Sequence, residues 1–380
     1  MLPNEVFHQI DSYVLRLMAE STPAHTAWNI EKIRHGSPSD WNYIDGCMMT
    51  ALLALSDITG DDQYFSFVDG YIGDFIFEDG VIRTFREDKR TLDDINEGRV
   101  LFPLLKATGK QKYRLAAEAL HRALLRAPRT WEGNWWHKAI YPAQVWLDGI
   151  YMAQPFSALY EKDFGSGDYS DVFRQIETVR RRMRDPETGL YFHGYDASRT
   201  AFWCDKQTGL SGCFWLRAVG WFSVALADLI EIIPRDVPDN PLPGILSDLM
   251  RSLLPWAEAE TGMYYQVVNQ PNAEGNYLES SGSAMIAYAM LKGARLGVLG
   301  AEFREQGIKT FEGIVRRCLS LENGEFHLGS ICLVAGLGPD DNLRRDGSLA
   351  YYLSEPVVQD DAKGVAPFLL CYTEIKRLAL

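Results

Sequence analysis

Residues 134–152 read Asn-Trp-Trp-His-Lys-Ala-Ile-Tyr-Pro-Ala-Gln-Val-Trp-Leu-Asp-Gly-Ile-Tyr-Met, so one carboxylate, Asp148, stands between aromatic rings and an apolar segment. An acid at the mouth of a buried helix is costly to desolvate unless it is paired or used. Aromatic faces beside an acid suit the holding of sugar rings. The stretch therefore predicts a catalytic acid in a carbohydrate-binding bowl, with a helix N-cap beside core aromatics as the plain alternative.

Two further acids, Asp93 and Asp94, are candidates for the second carboxylate that glycosidases place across a scissile bond. Capping of the helix that begins at Ile95 is their structural alternative. Arg217 lies in an apolar helix opening and needs an anionic partner, from the protein or from a ligand. His193 could be a bonded structural histidine, and Trp221 could be plain core. The seven histidines have neither zinc spacing nor cysteine neighbours. The chain also shows no nucleotide-binding glycine loop and no nucleophile elbow. The expectation is chemistry without a metal or cofactor.

A repeating pattern positions these residues. Amphipathic segments at Glu5–Ala19, Asp62–Phe75, Lys110–Arg126, Tyr169–Arg184, Pro243–Ala259 and Ala301–Leu319 alternate with segments that are apolar nearly all round, such as Cys47–Leu55, Ile150–Leu159, Phe222–Ile233 and Ser283–Leu296. Turns with glycine at 80, 133, 189, 262 and 324 separate them, because glycine supplies the positive φ of a helix C-cap. Six outer and six inner helices predict an all-α fold, an (α/α)6 toroid or six-hairpin barrel, as a single domain over 1–380. The loops opening the inner helices would meet at one mouth. There they would gather Tyr43, Asp45, Asp93, Asp94, His137, Lys138, Asp148, His193, Arg217 and Lys363, with rings from Trp135, Trp146, Trp215 and Trp221.

The chain has 380 residues, 47% hydrophobic and 23% charged, as a globular enzyme would. A net charge of -13 without a basic cluster argues against nucleic acid as a partner. Six scattered cysteines, no recognisable signal peptide and no membrane-spanning apolar run imply a reduced, cytoplasmic setting.

Several motifs together resemble the unsaturated rhamnogalacturonyl hydrolases, glycoside hydrolase family 105. They are Tyr-Pro-x-Gln-x-Trp-Leu-Asp-Gly-x-Tyr-Met (141–152), Thr-Leu-Asp-Asp-Ile-Asn-x-Gly-Arg (91–99), His-Gly-Tyr-Asp (193–196), Gly-Leu-Ser-x-x-Phe-Trp-x-Arg-Ala-x-Gly-Trp (209–221) and Arg-Asp-Gly-Ser-x-x-Tyr-Tyr-Leu-Ser-Glu-Pro (345–356). The resemblance implies the same toroid and action on oligosaccharides ending in a 4,5-unsaturated uronic acid. It makes Asp148 the acid and Asp93 its companion. It matches Tyr43, Lys138, Trp146, His193, Trp215, Arg217 and Trp221 to substrate-contact positions. Two residues depart from the pattern: Glu97 where proline is expected, and Cys213 just before Trp215.

In the implied chemistry, Asp148 protonates C4 of the vinyl ether and then takes a proton from the water that adds at C5. Burial and the Asp93 carboxylate should both raise its pKa. Alternatives are an unsaturated glucuronyl hydrolase, a conventional hydrolase of saturated sugars, a sugar epimerase using His137 and His193, and a non-catalytic sugar binder.

Overall fold

The computed structural model describes residues 4–379. Among them, twelve helices alternate between an outer and an inner ring. The outer ones are α1 (Asn4–Ala19), α3 (Asp62–Phe75), α5 (Gln111–Leu125), α7 (Ser170–Met183), α9 (Leu242–Leu253) and α11 (Ala301–Cys318). The inner ones are α2 (Tyr43–Thr59), α4 (Leu101–Thr108), α6 (Leu147–Asp163), α8 (Leu216–Ile232), α10 (Ser280–Arg295) and α12 (Ala362–Ala379). Successive inner helices pack on one another, with the segment 93–100 that leads into α4 bridging α2 and α6, and α12 returns to α2, which closes the ring. This is the predicted toroid.

The inner helices bury residues on every side; α8 is buried without a break from Leu216 to Ile230. Such helices can approach closely only where side chains vanish. Gly220 of α8 and Gly282 of α10 face each other in this way, and a Cβ at Gly282 would collide with Leu216. The predicted turn glycines 80, 133, 189, 262 and 324 all have positive φ. Among the outer helices the largest difference in bounds is at α9, which stops at Leu253 rather than continuing to Ala259, because a 3-10 turn holds Pro255, which has no N–H to continue the helix.

Short antiparallel strand pairs decorate the inner openings. One of them, β1 (Gln144–Trp146) with β2 (Gly194–Asp196), sets Trp146 opposite Gly194. The arginine run of α7 lies outside, where Arg180 pairs with Asp248 at 3.2 Å and Arg181 with Glu132 at 2.9 Å. All six cysteines are free. No described helix is long and apolar enough to cross a membrane.

Candidate active site

The β1–β2 register builds the centre. The Leu147 N–H donates to the His193 carbonyl at 3.1 Å, which brings the start of α6 against residue 193. A side chain at 194 would strike Leu337 and crowd Trp146, so glycine is required there. Asp148 then lies in the first turn of α6, while the N-cap position belongs to Trp146, without a side-chain bond. Asp148 is thus not a cap.

Its Oδ2 stands 3.1 Å from Nε2 of His193. The two atoms are not aligned as a hydrogen bond, and neither has another hydrogen-bond partner. Nδ1 of His193 meets the Tyr352 hydroxyl at 2.7 Å, and the ring is fully buried. The structure corrects one expectation. Burial does push Asp148 toward the neutral acid, yet the His193 imidazole, followed by His137, outweighs burial and holds the carboxyl below its ordinary value. Asp93 contributes little to it because Lys138 takes that charge, with Nζ 2.6 Å from Oδ2.

His137 sits between the two acids. Its Nε2 is 3.7 Å from Asp93, and its ring stacks on Trp146 at 4.3 Å between centroids. Burial, only partly opposed by Asp93, lowers its pKa to about 4 and keeps it neutral near neutral pH. Neither Asp93 nor Asp94 caps the short helix Asp93–Asn96. The Asp94 carboxyl has no ion pair among the described residues, and burial, then Asp93, pushes it up to about 7.

Arg217 lies at the floor with 1% of its surface exposed. Its guanidinium donates to the carbonyls of Cys332 and Leu333 and to Ser281, and it packs 5.0 Å from the Trp215 ring. No carboxylate of the described residues forms an ion pair with it. Burial opposes its charge, and the buried carboxylates of Glu279 and Asp361 are among the groups that offset burial through space without touching it. Tyr43 meets Trp221 edge-on at 6.5 Å, and Tyr151 stacks on Trp221 at 4.6 Å. Trp215 stacks on Tyr352 at 5.8 Å, behind the mouth.

Three residues expected at the mouth are engaged by the protein itself. Trp135 lies under Arg129, whose guanidinium is 4.2 Å from the indole ring, and its backbone N–H donates to the Gln175 side chain, so it serves the outer wall. Asp45 is fully buried, accepting from Trp28 at 2.7 Å and Asn42 at 2.8 Å, and burial raises its pKa to about 6. Lys363 is spoken for by Glu31 at 2.7 Å and by Asp361 at 3.1 Å. The unexpected Glu97 is buried beside Asp45 and accepts the Asn42 N–H at 2.8 Å, joining two inner openings. The other departure, Cys213, accepts the His193 N–H through its carbonyl at 3.4 Å. Tyr352 was in a quoted motif, but only the fold places it on His193. Among the described residues no group of three His, Cys, Asp or Glu could hold a metal ion.

Comparison with known proteins agrees with this fold. A glycoside hydrolase of family 105 from C. acetobutylicum ATCC 824 is 39% identical, with a TM-score of 0.87 over 95% of this chain and 99% of that one. The unsaturated rhamnogalacturonyl hydrolase YesR of Bacillus subtilis is 27% identical over 264 residues, 67% of this chain and 72% of YesR. The unsaturated glucuronyl hydrolase of Bacillus sp. GL1 covers 96% of this chain and 95% of its own at 16% identity and a TM-score of 0.66, a likeness of fold alone. The model of glycosyl hydrolase family 88 matches residues 15–379. With an acid at the floor of a closed (α/α)6 ring, and these relatives, the chain belongs to the family 88 and family 105 group of glycoside hydrolases and is a glycosidase, which removes the epimerase and the non-catalytic binder as alternatives.

Proposed function

We propose that the enzyme removes a 4,5-unsaturated uronic acid from the non-reducing end of lyase-generated oligosaccharides, with unsaturated rhamnogalacturonan as the substrate class. One observation carries this reading: Asp148 faces an imidazole, while the companion acid Asp93 is neutralised by Lys138. Displacement at C1 needs two free carboxylates, whereas hydration of a vinyl ether needs one acid/base group. The relative named for unsaturated rhamnogalacturonyl hydrolysis supports the choice of substrate.

In this mechanism Arg217 binds the uronate carboxylate at the floor. That second anion and the loss of water on binding raise the Asp148 pKa, so it enters the complex protonated. Asp148 gives its proton to C4, and an oxocarbenium-like cation forms across C5 and the ring oxygen. Water adds at C5 and returns a proton to Asp148. The hemiketal opens to a ketone, which leaves a hemiacetal at C1 that expels the next sugar. His193 positions Asp148 and sets its resting charge.

The test is incubation of the enzyme with lyase digests of several polysaccharides. Loss of the ultraviolet absorbance of the conjugated uronate, without added metal or cofactor, is expected from the rhamnogalacturonan digest. Release only from saturated substrates would reject the reading.

His193→Gln tests the positioning role. Without the imidazole that lowers the Asp148 pKa, burial prevails and that pKa rises. The decline of kcat/KM at increasing pH should therefore move to higher pH, beyond any drop in rate. A slower enzyme with an unmoved profile would leave His193 a merely structural role.

A further inference from the structure

The segment from Cys332 to Ser348 crosses the rim of the bowl and carries adjacent arginines with different fates. Arg344 is anchored, with Nη1 2.8 Å from Glu355. Arg345 is half-buried, and its guanidinium has no hydrogen bond or ion pair among the described residues. Its backbone is fixed: the carbonyl accepts from Gly338 at 2.8 Å, and the N–H donates to Asn342 at 3.2 Å. A poised cation on a fixed backbone is not the ordinary solvated arginine of an outer face.

Its location is defined by Gly336. A Cβ there would stand 3.3 Å from Nη1 of Arg345 and 3.3 Å from Cζ3 of Trp146. The guanidinium thus lies beside the outer edge of the indole that leads into α6 and Asp148, and glycine leaves the space between them open. Arg345 also belongs to a local cationic group. Burial would raise the Glu31 pKa, but Lys363, then Arg217 and Arg345, hold it below its ordinary value. Lys363 is paired with Glu31 and with Asp361, whereas Arg345 acts on Glu31 only through space. Arg217 occupies the floor and Arg345 the rim, so the two cannot serve the same anion equally. The floor suits the terminal uronate, and the rim meets what projects from the bowl.

We propose that Arg345, with the edge of Trp146, forms a second anion subsite that selects oligosaccharides whose leaving part carries an acidic group, a carboxylate or a sulfate. This rests on the unsaturated uronyl reading above. The experiment compares three substrates with one unsaturated uronate: joined to a neutral sugar, to a saccharide bearing a carboxylate, and to one bearing a sulfate. Wild-type kcat/KM should favour the acidic substrates, with the two acidic arms showing which anion is preferred. In Arg345→Gln the ratio of acidic to neutral kcat/KM should fall about 10- to 100-fold, the scale of a charge-assisted hydrogen bond. Arg345→Lys should restore part of it. An unchanged ratio in Arg345→Gln, whatever the absolute rates, would overturn the subsite. Calorimetry with the free leaving saccharides reads the same preference without turnover. If no uronate is released from any substrate but acidic saccharides still bind through Arg345, the reaction assignment fails and the subsite stands.

Discussion

Asp148→Asn should retain substrate binding while turnover falls by about 100- to 10,000-fold, and further if one group serves both proton transfers. Asparagine keeps the shape beside His193 but has no acidic proton to give C4 and no carboxylate to accept one from water. Binding by Arg217 does not depend on it. Deuterated water supplies an independent check in the wild-type enzyme. Hydration must place one solvent deuteron on a single face of C4 before the glycosidic bond breaks, whereas displacement at C1 frees the unsaturated sugar first, which takes up deuterium at C4 only on later opening and on both faces. A conventional two-carboxylate scheme would give the donor role to Asp94, whose carboxyl at about 7 is the more readily protonated one. Deuterium on both faces of C4, or near wild-type turnover of Asp148→Asn, would reject the hydration mechanism while leaving the fold intact.

The second large effect concerns stability and lies inside the ring. Asp228 of α8 is buried and accepts from Arg99 at 2.6 Å, from Lys292 at 2.8 Å and from Tyr288 at 2.8 Å. It thus joins the chain before α4 to α10 across the barrel. Burial alone would raise its pKa, but Lys292, then Arg99, hold it at about 2 against an ordinary 3.8. Replacing the carboxylate leaves buried cations uncompensated, which typically costs about 3–5 kcal/mol. Lys292 keeps Glu231 at 2.7 Å, so Arg99 is the more exposed to that cost. Asp228→Asn should lower unfolding free energy in urea by an amount of that order, with kcat changed far less. The pH dependence has a definite sign. A depressed folded pKa contributes stability that is complete above the unfolded value and lost as pH falls through the folded one. The wild type should therefore lose part of its stability between about pH 4 and 2, and Asp228→Asn should not show that part. A change below about 1 kcal/mol, as for a solvated surface pair, would show the network to be unimportant.

Local physics made the architecture legible. Helical period, apolarity on all faces and glycine at the caps are each encoded within a few residues, so the alternation of α1 to α12 could be read along the chain. The most misplaced outer end, Ala259 for Leu253, turned on a single proline. Asp148 was legible for the same reason: the rings and the apolar helix that isolate it are its neighbours in sequence. Arg217 was legible as a charge in need of a partner, but not which one.

What the tertiary structure alone decided was the company each charge keeps. The fold sets His193 on Asp148 through one strand pair, Lys138 on Asp93, and the carbonyls of Cys332 and Leu333 on Arg217. Asp228 sits inside an apolar helix, and only the fold brings Arg99 and Lys292 to it. The direction of the Asp148 pKa shift followed from the same cause. Burial is local and could be foreseen, but whether a cation or another carboxylate faces the buried acid depends on segments distant in sequence. Electrostatic energy depends on separation in space, and the sequence lists the charges without fixing those separations.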